Sequence, residues 1–346
     1  MALTDMNERR AVEELKMNVK RRDFLKMATA ASATTLLSPA IVRAAGKFPT
    51  GPVQLIVPFK PGGGADRTFR LFAPYLAKEL GVPVNVVNIS GGGGWVAWQQ
   101  MARWDAAKDD HKIGTVNFPH VFSYLDPRMK RTETVDSFNF LAWHSLDPCI
   151  WAIRHDETRF TDLKSFIKYV QDNPNKITMS TTAVGSDDHM GIAFAEKFIP
   201  NFKVKKLYAN GDSKKIQETI SGVSDIVAGN VGYYAPYVAD KKLKFITTLH
   251  PDRYDVIPDV PTFKEVTGTD NVSFAGRTMV VAPGMAEDKK ATCLAAVKRA
   301  IANKEYLAKE AKNKNNILFM TSDDVDKKIA ATKKYVESVR FWEQKT

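Results

Sequence analysis

The chain has 346 residues, of which 44% are hydrophobic and 26% are charged, and its formal net charge is +11. This composition excludes a disordered or collagen-like chain, and the length is sufficient for two domains of about 150 residues each. Two cysteines cannot supply a disulfide framework or a cysteine-only zinc site, and no apolar run in the body of the chain reaches the roughly 18 residues of a membrane span.

Residues 1–45 are predicted to be an export signal. A basic stretch that contains Arg21 and Arg22 precedes a mildly apolar, alanine-rich segment at 27–42, and the small residues Ala44 and Ala45 offer a cleavage site. The arginine pair followed by Phe-Leu-Lys is typical of the twin-arginine route, although a lysine stands where Ser or Thr usually precedes the pair. An amphipathic N-terminal helix is the alternative interpretation, and Met17 is an alternative start.

Export would place the protein in the periplasm, where nucleic acid is scarce. We therefore interpret the basic charge as an attraction for small anions, and we expect no nucleic-acid partner. Cys149 and Cys293 would meet oxidising conditions in that compartment. They are far apart in the sequence, and we favour two buried free thiols over a disulfide.

The chain after the signal opens with an alternation of strands, glycine loops and helices. Apolar, β-branched runs predict strands at 53–59, 82–87 and 113–116, and the spacing of apolar residues predicts helices at 66–80 and 95–104. The runs Pro61-Gly62-Gly63-Gly64 and Ser90-Gly91-Gly92-Gly93-Gly94 lie between a strand and a helix. This is the βαβ pattern of a parallel sheet.

A second run of alternation follows, and it predicts a second α/β lobe. Strands are predicted at 150–153, 177–180, 204–208, 225–227 and 243–249, and helices at 162–171, 186–198 and 214–220. An extended segment at 271–283 crosses back, and amphipathic helices are predicted at 287–312 and 322–343. We expect one lobe from 46–146 together with 272–346, a second lobe from 147–271, and a small-molecule cleft between them.

The first glycine loop is the strongest signal of a binding site. Glycines let the backbone approach a ligand closely, and the helix that follows presents unpaired N–H groups and a partial positive charge, which suits a carboxylate or a phosphate. The second loop repeats the arrangement one βα unit later, so both point at one crevice. Tight turns are the alternative reading. Neither loop continues into a P-loop, and the first loop lacks the register of a dinucleotide fingerprint.

The segment from Ser180 to His189 is a third candidate, because it also lies between a strand and a helix. Its hydroxyl and N–H groups would bind the far end of a ligand, although Ser186 or Asp187 would serve equally as a plain helix N-cap. His189 beside acidic residues suggests a catalytic triad, but the groups crowd on one loop and no G-x-S-x-G elbow is present. No histidine pair has metal-ligand spacing, so we expect no metal. We also expect no catalytic residue and no cofactor.

The order and spacing of these motifs resemble the periplasmic solute-binding proteins of tripartite tricarboxylate transporters, the Bug family, over nearly all of residues 48–343. The likeness rests on an I-V-P-F strand ending at Phe59 and followed by Asp66 and Arg70, and on an L-G-x-P-V strand that starts at Leu80. A G-S-x-x-H stretch starts at Gly185 and a P-D-V-P-T-x-x-E stretch at Pro258. Four departures cluster at predicted ligand loops. The second glycine loop lacks the family's P-G-A-G-G, Gly229-Asn230 replaces an Asp-Asn pair, Tyr208-Ala209-Asn210 replaces a Tyr-Lys-Gly loop, and Arg277 replaces a frequent tryptophan.

The resemblance implies a two-lobed type II periplasmic binding fold of class α/β that closes on its ligand by a hinge motion. It also implies a small carboxylate ligand, a monomer, and membrane subunits that receive the ligand. A ligand-sensing protein that signals to a membrane kinase and a periplasmic enzyme are the alternatives. Trp95 and Trp98 would either stack on an aromatic acid or pack in the core. The candidate ligand residues are Phe59, Gly62, Gly63, Gly64, Asp66, Gly91, Gly92, Gly93, Trp95, Thr181, Ser186, Asn230 and, as a counter-ion, Arg277.

Overall fold

The computed structural model describes residues 48–209 and 211–344, so the predicted export signal lies outside the described residues. The described residues form ten strands and ten α-helices. The strands are β1 (Val53–Val57), β2 (Val84–Asn88), β3 (Lys112–Phe118), β4 (Asn139–Arg154), β5 (Thr178–Thr181), β6 (Lys205–Tyr208), β7 (Ile226–Asn230), β8 (Leu243–Thr248), β9 (Phe274–Val281) and β10 (Ile317–Met320).

The helices alternate with these strands in most of the chain. They are α1 (Gly64–Leu80), α2 (Trp95–Met101), α3 (Leu163–Asp172), α4 (Asp187–Phe198), α5 (Asp212–Ile220), α6 (Val231–Ala239), α7 (Phe263–Thr267), α8 (Glu287–Ile301), α9 (Lys304–Lys312) and α10 (Ser322–Val339). Within the two described ranges, no helix has the length and apolar character needed to cross a membrane.

The strands form one continuous sheet with two sets of parallel pairs. Strand β1 lies between β2 and β3 and is parallel to both, and β5 lies between β6 and β7 and is parallel to both. The order across the main path is β2-β1-β3-β9-β4-β7-β5-β6, while β8 and β10 also pair with β4. Parallel pairs need helical crossovers, which explains the alternation of strands and helices in the sequence.

Strand β4 connects the two sets. Its residues from Asn139 to Pro148 pair with the antiparallel β9, and its residues from Cys149 to Ile153 pair with β7. Successive side chains of a strand point to opposite faces, and accordingly Ile150 packs in one buried cluster and Trp151 in another. The chain therefore has helices on both faces of a buried sheet, which agrees with the predicted α/β class.

Local chemistry explains where the helices begin and end. Helix α1 ends at Gly81, which has φ = 73°, and the Gly81 N–H donates to the carbonyl of Ala77. Helix α4 begins after Ser186, whose hydroxyl accepts a hydrogen bond from the His189 N–H. Asn303 caps α9 in the same way, through the N–H groups of Glu305 and Tyr306. This cap divides the single helix predicted at 287–312 into α8 and α9.

Other elements also differ from the sequence prediction, among them β4, α6 and β10. Strand β4 is much longer than the predicted strand at 150–153, because the polar residues Ser145 and Asp147 interrupt the apolar pattern although both are buried. Helix α6 was not predicted, since Gly232 and Pro236 are poor helix formers. Strand β10 was also not predicted, and it pairs with β4.

Candidate functional site

A cleft of about 560 Å³ lies where the carboxyl ends of several strands meet. The first half of the chain and β9 contribute Phe59, Lys60, Pro61, Gly63, Gly64, Ala65, Asn117, His120, Ala275 and Arg277. The second half contributes Thr182, Asp187, Tyr208, Gly211, Asp212, Ser213, Lys214, Gln217 and Asn230. Both sets of parallel strands thus supply walls, as expected for ligand sites in open α/β sheets.

A larger cavity, of about 790 Å³, lies beside β6 and the C-terminal segment. Its lining includes four lysines, among them Lys203 and Lys205, and neither glycine loop reaches it. We locate the candidate site in the smaller cleft, because only the smaller cleft combines a glycine loop, a helix N-terminus and buried polar side chains.

Asp66 fixes the conformation of the first glycine loop through hydrogen bonds. Its carboxylate accepts hydrogen bonds from the Gly62 N–H at 2.8 Å, from Asn88 Nδ2 at 2.8 Å and from the Arg70 guanidinium at 2.9 Å. Burial alone would raise the pKa of Asp66, but these hydrogen bonds hold that pKa below its ordinary value. Neither Gly62 nor Asp66 lines the cleft, and the two fix the loop that carries Gly63 and Gly64.

Gly64 lies at a contact between the two halves of the chain. Its N–H donates to Asp212 Oδ2 at 3.2 Å. A Cβ added to Gly64 would lie 3.3 Å from Arg277 Nη2 and 3.4 Å from Asp212 Oδ2. A carboxylate of the chain itself therefore already accepts a hydrogen bond at the N-terminus of α1.

Arg277 is buried beneath this helix terminus, with 3% of its surface exposed. It lies on β9 opposite Asn117 of β3. Its Nη2 is 3.5 Å from Asp147 Oδ2, whereas its Nε and Nη1 have no hydrogen-bond partner among the described residues. Burial raises the pKa of Asp147 to about 6 against the lowering effect of Arg277.

Asp187 lies at the first turn of α4 and faces the same cleft. It accepts hydrogen bonds from Asn230 Nδ2 at 2.6 Å and from Cys149 Sγ at 3.0 Å, and His120 Nε2 is 3.3 Å away. Burial lowers the pKa of His120 and raises the pKa of Cys149 well above its usual value. The imidazole and the thiol are therefore neutral near pH 7.

The next residue, Asp188, belongs to a separate buried network. Lys215 Nζ lies 2.6 Å from Asp188 Oδ2 and 3.1 Å from Asp212 Oδ1, and it donates to the carbonyl of Ala228 at 2.9 Å. Burial opposes ionisation of Asp188, yet Lys215 and the hydroxyl of Ser186 lower the Asp188 pKa. This network holds Asp212 against the Gly64 N–H.

The second glycine loop does not line the cleft. Gly91, Gly92 and Gly93 all have positive φ, and a Cβ on Gly93 would lie 3.1 Å from Ala183, so the loop packs against the segment after β5. Trp95 is buried, donates to Ser123 Oγ at 2.7 Å and packs edge-on against Trp98. The indole rings of both tryptophans lie in the core, and ligand stacking on Trp95 stays an untested prediction.

The predicted far end of the site is only partly at the cleft. Asn230 lines it, whereas Thr181 is buried beneath it and Thr182 takes the lining position. Ser186 caps α4. His189 accepts from the Gly185 N–H at 3.0 Å and meets the Tyr208 hydroxyl at 3.3 Å, and these are the contacts of a hydrogen-bond partner within the fold.

Five predicted site residues line the cleft, namely Phe59, Gly63, Gly64, Asn230 and Arg277. The sequence analysis did not select Asn117, His120, Asp187 or Asp212 as ligand residues. Asn117 and His120 lie at and just after the carboxyl end of β3, so the strand-end rule that selected the glycine loops would have found them. Cys149 and Cys293 are buried and unpaired, as predicted. Within the described ranges, no cluster of His, Cys, Asp or Glu could hold a metal ion.

Comparison with known proteins identifies the fold and the family. Residues 68–339 match the model of the tripartite tricarboxylate transporter family receptors. A Cupriavidus necator protein, named only as a UPF0065 protein in the gbd 5' region, is 29% identical over 255 residues, which cover 72% of this chain and 75% of that protein.

Two solved structures share the fold. MatC from Rhodopseudomonas palustris with bound malate has a TM-score of 0.73 at 22% identity, and the match covers 86% of this chain and 99% of that one. An R. palustris protein with adipate has a TM-score of 0.75 at 18% identity, over 86% of this chain and 98% of that one. The predicted two-lobed binding-protein fold is confirmed.

Proposed function

Because the chain belongs to the tripartite tricarboxylate transporter family receptors, we propose that it is a periplasmic solute-binding protein that captures a small carboxylate. The ligand would pass to the membrane subunits of a tripartite transporter, and the protein would act as a monomer. The carboxylates bound in the two R. palustris structures support this ligand class.

The observation that carries the proposal is the unpaired part of Arg277. Buried polar groups are nearly always hydrogen-bonded, yet Nε and Nη1 of this buried guanidinium have no partner among the described residues. A guanidinium presents its N–H groups as a planar fork that matches the two oxygens of a carboxylate. A carboxylate in the cleft would complete the hydrogen bonding of Arg277.

Neither Cys149 nor His189 is placed for catalysis, which favours a binding role. A nucleophilic cysteine needs its thiolate, and burial keeps Cys149 protonated. His189 uses both ring nitrogens in contacts with Gly185 and Tyr208. A catalytic histidine needs a ring nitrogen available to the substrate.

We assign residues 46–146 with 272–346 to one lobe and residues 147–271 to the other. Two observations support these boundaries. Strand β4 changes its partner from β9 to β7 between Pro148 and Cys149, and β9 begins at Phe274. Both chain crossings would then lie side by side, where two short segments can act as a hinge.

Isothermal titration calorimetry with malate, adipate and citrate tests the ligand class. Arg277→Lys keeps the charge but removes the fork, so we expect it to weaken the binding of any carboxylate that the wild type binds by about tenfold or more. Arg299→Lys is the matched control, because Arg299 is exposed and pairs with Glu79 on the surface. If the folded wild type binds none of a broad carboxylate panel, the proposal is wrong.

We also propose that residues 1–45 direct export by the twin-arginine route. The support is the pair Arg21-Arg22 ahead of an apolar segment and a small-residue cleavage site. A precursor that carries both Arg21→Lys and Arg22→Lys should accumulate uncleaved in the cytoplasm, as seen by cell fractionation. Unchanged processing of that precursor would argue for a different export route.

A further inference from the structure

The larger cavity, of about 790 Å³, lies between β6 and the C-terminal segment and carries an excess of positive charge, so we call it the basic groove. Five basic side chains line it against two acidic ones. Both acidic groups are already paired. Glu196 lies 2.7 Å from the ammonium of Lys206, and Glu343 lies 2.6 Å from the guanidinium of Arg340. The charge in excess therefore belongs to the three remaining lysines.

Lys203 and Lys205 carry positive charge for which the described chain supplies no partner. Lys197, the third of these lysines, donates to the carbonyl of Ser338 at 2.8 Å. Lys203 and Lys205 are exposed, and among the described residues neither ammonium group has a hydrogen bond or a carboxylate within 4 Å. They are alternate residues of the segment that leads into β6, so their side chains lie on one face of an extended chain.

Strand β6 is the last strand at its end of the sheet, and one of its edges is unpaired. Among the described residues it pairs with β5 alone. The Lys205 N–H donates to the Ile177 carbonyl on the β5 side at 2.8 Å. Because successive residues of a strand direct their backbone groups to opposite edges, the N–H and C=O groups of Lys206 and Tyr208 point away from β5. Both residues line the basic groove, so the unpaired edge and the unpaired lysines meet in one place.

We propose that the basic groove binds an acidic, extended segment of a partner protein, which adds to β6 as a further strand. An unpaired strand edge accepts a peptide through main-chain hydrogen bonds. Acidic residues at alternate positions of that peptide would lie beside Lys203 and Lys205. A second copy of this chain is a poor occupant, because pairing two β6 edges would bring like charges together. A small inorganic anion would satisfy the lysines but offers no donor to the carbonyl groups of the edge.

Fluorescence anisotropy with labelled octapeptides at low ionic strength tests the inference. The probe alternates Glu and Thr. One control peptide alternates Gln and Thr and lacks the charge, and the other is the Glu-Thr peptide with methylated backbone nitrogens, which lacks the N–H donors. We expect the probe to bind at least about fivefold more tightly than either control. Combining Lys203→Gln with Lys205→Gln should weaken its binding at least about fivefold. The matched variant, Lys298→Gln with Lys304→Gln, removes two exposed lysines from α8 and α9 and should leave binding unchanged.

Several results would overturn the inference. They are the absence of probe binding to the folded wild type, equal binding by the Lys203 and Lys205 double variant, and equal binding of the methylated peptide. Binding to phosphatidylglycerol vesicles in place of the peptide would assign the groove to the membrane instead. Arg277→Lys should leave probe binding unchanged, because Arg277 lines the cleft and not the groove. A loss in that variant would place the peptide in the cleft, which would refute this inference and leave the proposed function standing. Circular dichroism checks the fold of each variant.

Discussion

Lys215 gives the sharpest test of the buried charge network. It is 1% exposed, and its ammonium lies 2.6 Å from Asp188 and 3.1 Å from Asp212. Burial alone would lower the pKa of Lys215, but the two carboxylates raise that pKa well above its usual value. Lys215→Met preserves the aliphatic stem and removes the charge, so it isolates the electrostatic contribution.

The expected loss of stability depends on the hydrogen bonds that Asp188 and Asp212 keep when Lys215 is replaced. Removing one partner of a buried ion pair typically costs about 3–5 kcal/mol. Asp188 would retain hydrogen bonds from the Thr182 N–H and hydroxyl, and Asp212 would retain the Gly64 N–H and the Tyr234 hydroxyl. These remaining donors place the expected loss at the lower end of that range, about 3 kcal/mol in the free energy of unfolding at pH 7.

The pH dependence of the loss has a definite sign. In the wild type the pKa of Asp188 is lowered on folding, so its stabilising contribution is present above the unfolded pKa of 3.8 and is lost as the pH falls through the folded value. Without Lys215 the Asp188 pKa rises, and the variant relieves its penalty by protonation. The difference between wild type and variant should therefore shrink between pH 7 and pH 4.

Equilibrium urea unfolding, followed by tryptophan fluorescence, measures both quantities. Lys214→Met is the matched control, because the neighbouring Lys214 is 64% exposed and lies 3.5 Å from Glu218, and such surface changes stay within about 0.5 kcal/mol. A loss below about 1 kcal/mol for Lys215→Met at pH 7 would refute the reasoning. A difference that grows on acidification would do the same.

Three further predictions follow from the loops and thiols. Gly94→Ala should destabilise the protein by at least about 2 kcal/mol, because Gly94 has φ = 104° and an added Cβ would lie 2.7 Å from Trp98. Gly51→Ala has open space around the added Cβ and should be nearly neutral. Equal urea midpoints for the two variants would contradict the prediction. Ser186→Ala removes the cap of α4 and should cost about 1–2 kcal/mol in urea unfolding. Thr321→Ala should cost far less, since Thr321 precedes α10 without a side-chain cap. Similar losses of stability in the two variants would argue against a capping role for Ser186. Cys149 and Cys293 should react with Ellman's reagent only after unfolding. Burial raises the pKa of both thiols, that of Cys293 to about 12. Fast labelling of the native protein would mean that one thiol is accessible.

Sequence periodicity predicted the parts of the fold that depend on local signals. The strand–glycine–helix alternation at the start of the chain predicted β1, α1 and β2 within a few residues, because a glycine loop stops a strand wherever it occurs. The same reasoning failed for β4, since its buried polar residues Ser145 and Asp147 pair with the distant strand β9, and Asp147 also accepts a hydrogen bond from the Gly232 N–H. Burial of polar residues is a tertiary property, and periodicity does not register it.

The residues of the candidate site fall into the same two groups: some follow from a local sequence pattern, and others depend on tertiary contacts. Gly63 and Gly64 could be predicted because a glycine loop before a helix is a local pattern. The pairing of Gly64 with Asp212 could not, since the two residues are 148 positions apart and no local feature of Asp212 indicates a partner. Asp187 was noticed only as a possible cap, because its relation to His120 and Cys149 arises when three distant segments meet.

Asp212 also determines where in the cleft a ligand carboxylate can bind. A ligand carboxylate that approached the Gly64 N–H would have to displace the Asp212 carboxylate, which Lys215 and Tyr234 hold in place. Arg277 offers N–H groups that no described residue uses, so a ligand carboxylate gains more there than at the helix terminus alone.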